Sequence, residues 1–209
     1  MEFFEQLVSA VMTGRGGEVK KLVEKGLNEG LSAADIIQQG LIGGMNIIAE
    51  KFKNNEIFVP EVMLAARAMH AGLAILKPLL VGTGHQAIGR VVIGTVKGDQ
   101  HDIGKNLVAM MLEGAGFEII DLGSNVATEK FIAAVQEHQA KILALSALLT
   151  TTMPEMAVVI RALETNGVRG NVKVIIGGAP VSQSYADKIG ADGYAPDAGM
   201  AVELAKSLI

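Results

Sequence analysis

The segment 91–106, VVIGTVKGDQHDIGKN, holds the residue types in this chain best suited to chemistry. An apolar β run, Val91, Val92 and Ile93, leads into a loop with Asp99, His101, Asp102 and Gly104, and a helix is expected from about Lys105. A histidine in a loop at the carboxyl end of a buried strand stands where open α/β sheets bind ligands. An aspartate nearby can bond one ring nitrogen and leave the other to ligate a metal. Further polar or glycine-rich strand ends follow. The segment 142–153, ILALSALLTTTM, carries Ser146, Thr150, Thr151 and Thr152 at its exit, and a later strand ends in Ile176, Gly177, Gly178 and Ala179. A threonine of that run is expected to cap the next helix. The paired glycines allow a tight turn or a close approach of ligand to backbone.

Composition narrows what such a site can be. With no cysteine, disulfides, zinc–thiolate centres and thiol nucleophiles are excluded. Any metal must be held by histidine, by carboxylate or by its own cofactor. The formal charge of −4 and pI near 5.6 argue against a nucleic-acid partner, which asks for a basic face. The N-terminal MEFFEQLVSAV carries acids where a signal peptide has bases. No apolar run is expected to reach membrane length, because Arg67 and His70 interrupt the longest helical candidate. No membrane partner and a cytoplasmic location are therefore expected.

The elements that must position these residues are readable from periodicity. At 209 residues the chain can hold one large domain or two small ones. Half of it is hydrophobic and only 4% aromatic, which suits an aliphatic core of helices on a sheet. Phe3, Phe4, Leu7, Val8 and Val11 share one helical face, and Val19, Leu22, Val23 and Leu27 mark a second helix. Ser32 with Asp35 resembles a capping box opening a third, in which Gly40, Gly43 and Gly44 point to close packing. Pro60 opens a fourth that ends at Pro78. Residues 1–80 thus read as a four-helix bundle, and the polar, glycine-containing 81–88, VGTGHQAI, as a linker. From 89 to 209 the pattern alternates. Strands are expected near 90–96, 117–122, 141–146, 172–177 and 192–195, with helices near 104–115, 127–138, 153–167, 182–189 and 197–208. Such alternation predicts a five-stranded parallel sheet in flavodoxin-like, Rossmann-type order.

Asp99, His101 and Gly104 spell Asp-x-His-x-x-Gly, and Ser146-Ala147-Leu148 spells Ser-x-Leu. Together with the Gly177–Gly178 pair, these match the signature of cobalamin-binding domains in which a protein histidine replaces the lower axial base. The layout resembles the cobalamin-binding region of methionine synthase, and the size resembles the small corrinoid proteins of methyltransferase systems. The resemblance implies that His101 ligates cobalt, Asp99 accepts its proton-bearing nitrogen and Thr152 extends the relay. It implies that Ser146 bonds the displaced dimethylbenzimidazole, with Leu148, Thr150, Gly177 and Gly178 lining its slot and Tyr194 and Asp197 closing it. Asp102, Ile103, Gly123 and Asn125 would sit near the corrin edge. In the helical domain, KFKNNEIFVPEV would cap the upper face through Phe52, Val59, Val62 and Met63. The implied function is a methyl carrier cycling between methylcobalamin and cob(I)alamin, or a related corrinoid. Its partners would be a substrate-specific methyltransferase, a second methyltransferase serving coenzyme M or tetrahydrofolate, and a reductive activator. Linker 81–88 would serve as hinge. His70, His85 and His138 are given no role.

Other readings share parts of this pattern. A subunit of an adenosylcobalamin mutase would carry the histidine motif without needing the helical cap. A light-sensing cobalamin regulator would need a DNA-binding module. A flavodoxin-like or receiver domain with a helical appendage would need no cobalamin.

Overall fold

The computed structural model describes residues 2–80 and 87–209, so most of the expected linker, 81–86, lies outside the described residues. The chain forms a helical N-terminal unit and an α/β unit that begins at Ala87.

The helical unit contains α1 (Glu2–Met12), α2 (Gly16–Asn28), a short α3 (Ala33–Asp35), α4 (Ile42–Lys53) and α5 (Val59–Leu76), with a closing 3-10 turn at Lys77–Leu80. α3 and α4 are the expected third helix, interrupted by a π-helical stretch at Ile36–Leu41. Ser32 opens it as expected, its Oγ accepting from the Asp35 amide at 3.0 Å. The glycines in this helix differ in purpose. A Cβ on Gly40 would lie 2.3 Å from Leu7 Cδ2, and one on Gly44 would lie 2.9 Å from Val11 Cβ. Each glycine costs up to about 1 kcal/mol of helix propensity, offset here by the close approach of α1. Gly43 makes only an ordinary contact with Val8, at 3.5 Å. α5 corrects the membrane expectation. It is 18 residues with a mean hydropathy of 1.3, long and apolar enough by those measures to cross a bilayer. Its buried residues, Val62, Ala65, Met69, Gly72, Leu73 and Leu76, are nonetheless those of a core helix, with Gly72 pressed against Leu41 and Val19.

The α/β unit alternates throughout. β1 (Arg90–Thr95), α6 (Ile103–Gly114), β2 (Glu118–Asp121), α7 (Thr128–Glu137) and β3 (Ile142–Ser146) come first. α8 (Pro154–Thr165), β4 (Lys173–Gly177), α9 (Gln183–Ile189), β5 (Gly193–Tyr194) and α10 (Ala198–Ser207) complete it. The five strands are parallel in the order β2-β1-β3-β4-β5, the flavodoxin-like arrangement. Parallel strands with helices on both faces must be apolar on both faces. Val92, Leu143, Leu145, Val174 and Ile176 join one core cluster with Phe131, Met156 and Ile160. The alternate residues Val91, Ile93, Ile142, Ala144 and Ile175 are equally buried. Phe131 is fully buried over Gly94, where a Cβ would come within 2.7 Å of its ring. Burying such a side chain stabilises by about 1.5–3 kcal/mol.

Two features of this unit decide where a ligand can sit. The strand order reverses between β1 and β3, so the switch-point crevice opens at their carboxyl ends. The register then sets Thr95 beside Ser146 and Ser146 beside Gly177, in one row along that edge.

Candidate functional site: the His101 loop at the strand ends

β1 ends at Thr95, and the chain turns through Gly98, at φ +81°, before α6 begins at Ile103. Within this loop the Asp99 carboxylate is fully buried. Its Oδ1 accepts from His101 Nδ1 at 2.7 Å and from the His101 amide at 3.1 Å. Its Oδ2 accepts from Thr152 Oγ1 at 2.7 Å and from the amides of Leu148 and Leu149 at 2.8 and 3.3 Å. Burial by itself would raise this carboxyl, but the bonds from Thr152, Leu148 and His101 outweigh it and hold Asp99 well below the usual carboxylate range. An ionised Asp99 fixes the proton of His101 on Nδ1. The lone pair then lies on Nε2, which no group among the described residues bonds, on a side chain 51% exposed.

The cap of α8 expected from one of Thr150, Thr151 and Thr152 is not made. Met153 occupies the cap position with no side-chain bond, and Pro154 fills the first turn. Thr152 is buried, and its hydroxyl contacts Asp99 Oδ2 and the Leu149 carbonyl instead. Thr150 and Thr151 are exposed at the same turn.

The other expected residues fall as follows. Asp102 is exposed, and its carbonyl starts α6 by accepting from Asn106 at 2.7 Å. Ile103, 78% exposed, projects from the first turn, and Leu148 is also largely exposed. Ser146 is half-buried at the end of β3 with no side-chain partner among the described residues. Gly123, at φ +82°, and Asn125, at φ +53°, shape the turn after β2. Gly178 is required by the protein itself. A Cβ on Gly178 would strike the Ala147 carbonyl at 1.9 Å, and one on Gly177 would sit 3.2 Å from the Ala195 carbonyl. Tyr194 pairs with Ile176 at the end of β5, and Asp197 caps α10 by accepting from the Met200 amide at 2.8 Å. In the helical unit, Phe52 and Val59 are half-buried, Val62 is buried and Met63 is exposed.

Sequence reasoning missed residues that hold the loop. Thr95 Oγ1, fully buried, donates to the His101 carbonyl at 2.9 Å. Lys105, buried on α6, bonds Asp121 at the end of β2 and Asn106, and Asp121 Oδ1 also accepts from the Gly123 amide. The available signals were a threonine closing an apolar β run and a lysine directly after the Asp-x-His-x-x-Gly motif.

Gly104 shows what this edge is shaped for. It has an ordinary helical backbone, and a Cβ there would meet nothing within 4 Å. No packing among the described residues explains a glycine at this position. An open lone pair, a side-chain-free turn and the exposed aliphatic Ile103 and Leu148 together fit a broad, largely apolar group with a metal at its centre.

Residues 89–203 match the family model of the B12 binding domain, and residues 3–77 match a second B12 binding domain model. The chain belongs to the B12-binding corrinoid proteins. This corrinoid protein is 46% identical to dimethylamine corrinoid protein 1 of Methanosarcina acetivorans, over 100% of its own length and 98% of that protein's. It is 42% identical to a corrinoid protein of Desulfitobacterium hafniense, with coverage of 100% and 98%. Its fold matches a chain of the methanol:cobalamin methyltransferase complex of Methanosarcina barkeri with a TM-score of 0.91, at 31% identity over 99% of this chain and 79% of that one. These matches overturn the reading without cobalamin: the cofactor of this corrinoid protein is a cobalamin or related corrinoid.

Proposed function

We propose that this corrinoid protein carries methyl groups from a methylated amine, dimethylamine before others, and binds its cofactor with His101 as the lower axial ligand. The observation that carries the binding mode is the His101 imidazole, tied through Nδ1 to a buried carboxylate and open at Nε2. The amine is supported by the relatives named for dimethylamine, at 41–46% identity over 209 residues.

When bound, the corrin supplies a cobalt able to accept and give up a methyl group. Everything else falls to the chain. Asp99 holds the Nδ1 proton and so leaves the lone pair on Nε2. Thr152 and the Leu148 and Leu149 amides keep Asp99 ionised. Ser146, free at the end of β3, would bond the displaced nucleotide base, with Leu148, Thr150, Gly177, Gly178, Tyr194 and Asp197 around it. Gly104, Asp102, Ile103 and Gly123 would face the corrin side. The partners would be an amine-specific methyltransferase, a second methyltransferase and a reductive activator.

The test is methyl transfer. The reduced, corrinoid-loaded protein is mixed with a dimethylamine methyltransferase and dimethylamine, and the corrinoid absorption spectrum is followed. Methylation that depends on both additions is expected. A spectrum that changes only with methanol and its own methyltransferase would overturn the choice of donor.

A further inference from the structure

We propose that Asn125 is a positioning residue for the histidine loop, acting on His101 through Asp99 rather than through contact with the corrin. This rests on His101 being the axial ligand, as proposed above. The turn after β2 is laced to the histidine loop. Asn125 Oδ1 accepts from the Gly98 amide at 2.8 Å, and the Asn125 amide donates to the Asp99 carbonyl at 2.8 Å. Beside it, Ser124 Oγ donates to Gln100 Oε1 at 3.3 Å, and the Val126 amide donates to the Thr95 carbonyl at 3.0 Å. The clamp therefore grips the backbone on both sides of the Gly98–Asp99 peptide, while Thr152 and Leu148 grip the Asp99 side chain from the β3 exit.

Residue type matters here for two separable reasons. The backbone sits at φ +53°, a left-handed conformation that asparagine tolerates far better than most residues. The side-chain oxygen is the acceptor for Gly98, whose own φ of +81° sets the turn into Asp99. Glycine at 125 would keep the conformation and lose the acceptor. Aspartate would keep both the acceptor and a tolerable backbone. A side chain committed to Gly98 in this way is an internal brace.

The experiment uses the full chain loaded with cobinamide, a corrinoid without a nucleotide base, so that the only lower nitrogen on offer is the protein's. Ligation is read from the nitrogen splitting in the electron paramagnetic resonance spectrum of the Co(II) form. His101→Ala supplies the unligated reference, and thermal unfolding of the cofactor-free variants supplies the stability control. Asn125→Gly should lower the ligated-to-unligated ratio roughly tenfold, the scale of removing an outer support from a metal ligand, and Asn125→Asp should restore most of it. The proposal is overturned if Asn125→Gly ligates as the parent does, whatever its unfolding midpoint, or if Asn125→Asp is as impaired as Asn125→Gly. If the parent itself shows no nitrogen splitting, the axial-ligand reading fails, and this inference fails with it.

Discussion

Thr152 and Asp99, 53 positions apart, meet at 2.7 Å, and this hydrogen bond ties the β3 exit to the loop that presents His101. It makes Thr152 part of a polar chain that runs from the turn after β3, through the buried Asp99, to an exposed imidazole.

The Asp99 carboxylate accepts five hydrogen bonds while fully buried, so its ionised form is strongly favoured in the folded chain. A group whose carboxyl is lowered on folding adds stability above its unfolded value, ordinarily 3.8, and that stability is lost as the pH falls further. Asp99→Asn should therefore destabilise the cofactor-free protein at neutral pH by about 2–4 kcal/mol, because an amide cannot accept from all these donors. The difference from the parent should shrink below pH 3.8. Urea denaturation at a series of pH values measures both effects, and a difference that stays constant with pH would contradict them.

Thr152→Val removes one donor from a buried carboxylate and keeps the shape of the side chain. A cost of about 1–3 kcal/mol is expected, whereas Thr152→Ser, which keeps the hydroxyl, should cost about 1 kcal/mol or less. Denaturant midpoints of the cofactor-free variants compare the two. Equal losses would assign Thr152 to packing alone.

The glycines at the strand ends should respond in opposite senses. Gly178→Ala places a Cβ 1.9 Å from the Ala147 carbonyl at a φ of +135°, so it should cost about 3 kcal/mol or more, or prevent folding. Gly104→Ala meets nothing within 4 Å and should stabilise the cofactor-free chain by up to about 1 kcal/mol. The same substitution should weaken corrinoid binding, measured by fluorescence quenching or equilibrium dialysis. Undiminished affinity in Gly104→Ala would remove that turn from the cofactor surface.

Lys105 and Asp121 form an asymmetric pair, with side-chain exposures of 1% and 37%. Removing the exposed partner leaves the buried ammonium with the neutral Asn106 oxygen and no counter-charge, so Asp121→Ala should cost about 3 kcal/mol. Lys105→Met leaves a carboxylate that water can reach and should cost about 1 kcal/mol. Thermal unfolding gives the order, and the reverse order would contradict the burial argument.

The sheet was legible because both determinants are local in sequence. Apolar runs at 91–93, 142–145 and 174–176 mark strands buried on both faces, and the intervening helices follow from their periodicity. Asp99 and His101 were legible because they lie in one loop. Thr152 was expected to extend the relay from Asp99, and its hydroxyl bonds that carboxylate, but the cap expected from one of Thr150, Thr151 and Thr152 is absent, since α8 opens at Met153 with no side-chain bond. Thr95, Asn125 and the Lys105–Asp121 pair were not assigned these supporting roles. Each acts across a gap that only the sheet register closes, and a lone threonine or lysine at a strand or helix end has no distinguishing pattern. The π-helical stretch at Ile36–Leu41 escaped for a related reason, since the apolar spacing there suits a continuous helix. Gly177 and Gly178 were noticed, yet the need for Gly178 comes from the Ala147 carbonyl on a neighbouring strand end.

The most direct measurement of the central claim is the electron paramagnetic resonance spectrum of the protein loaded with cob(II)alamin and labelled with 15N-histidine. Axial ligation by His101 predicts that the nitrogen splitting changes from a triplet to a doublet on labelling and disappears as a histidine signal in His101→Ala. A triplet that survives labelling unchanged would mean that the cofactor's own benzimidazole remains below the cobalt, contradicting the account.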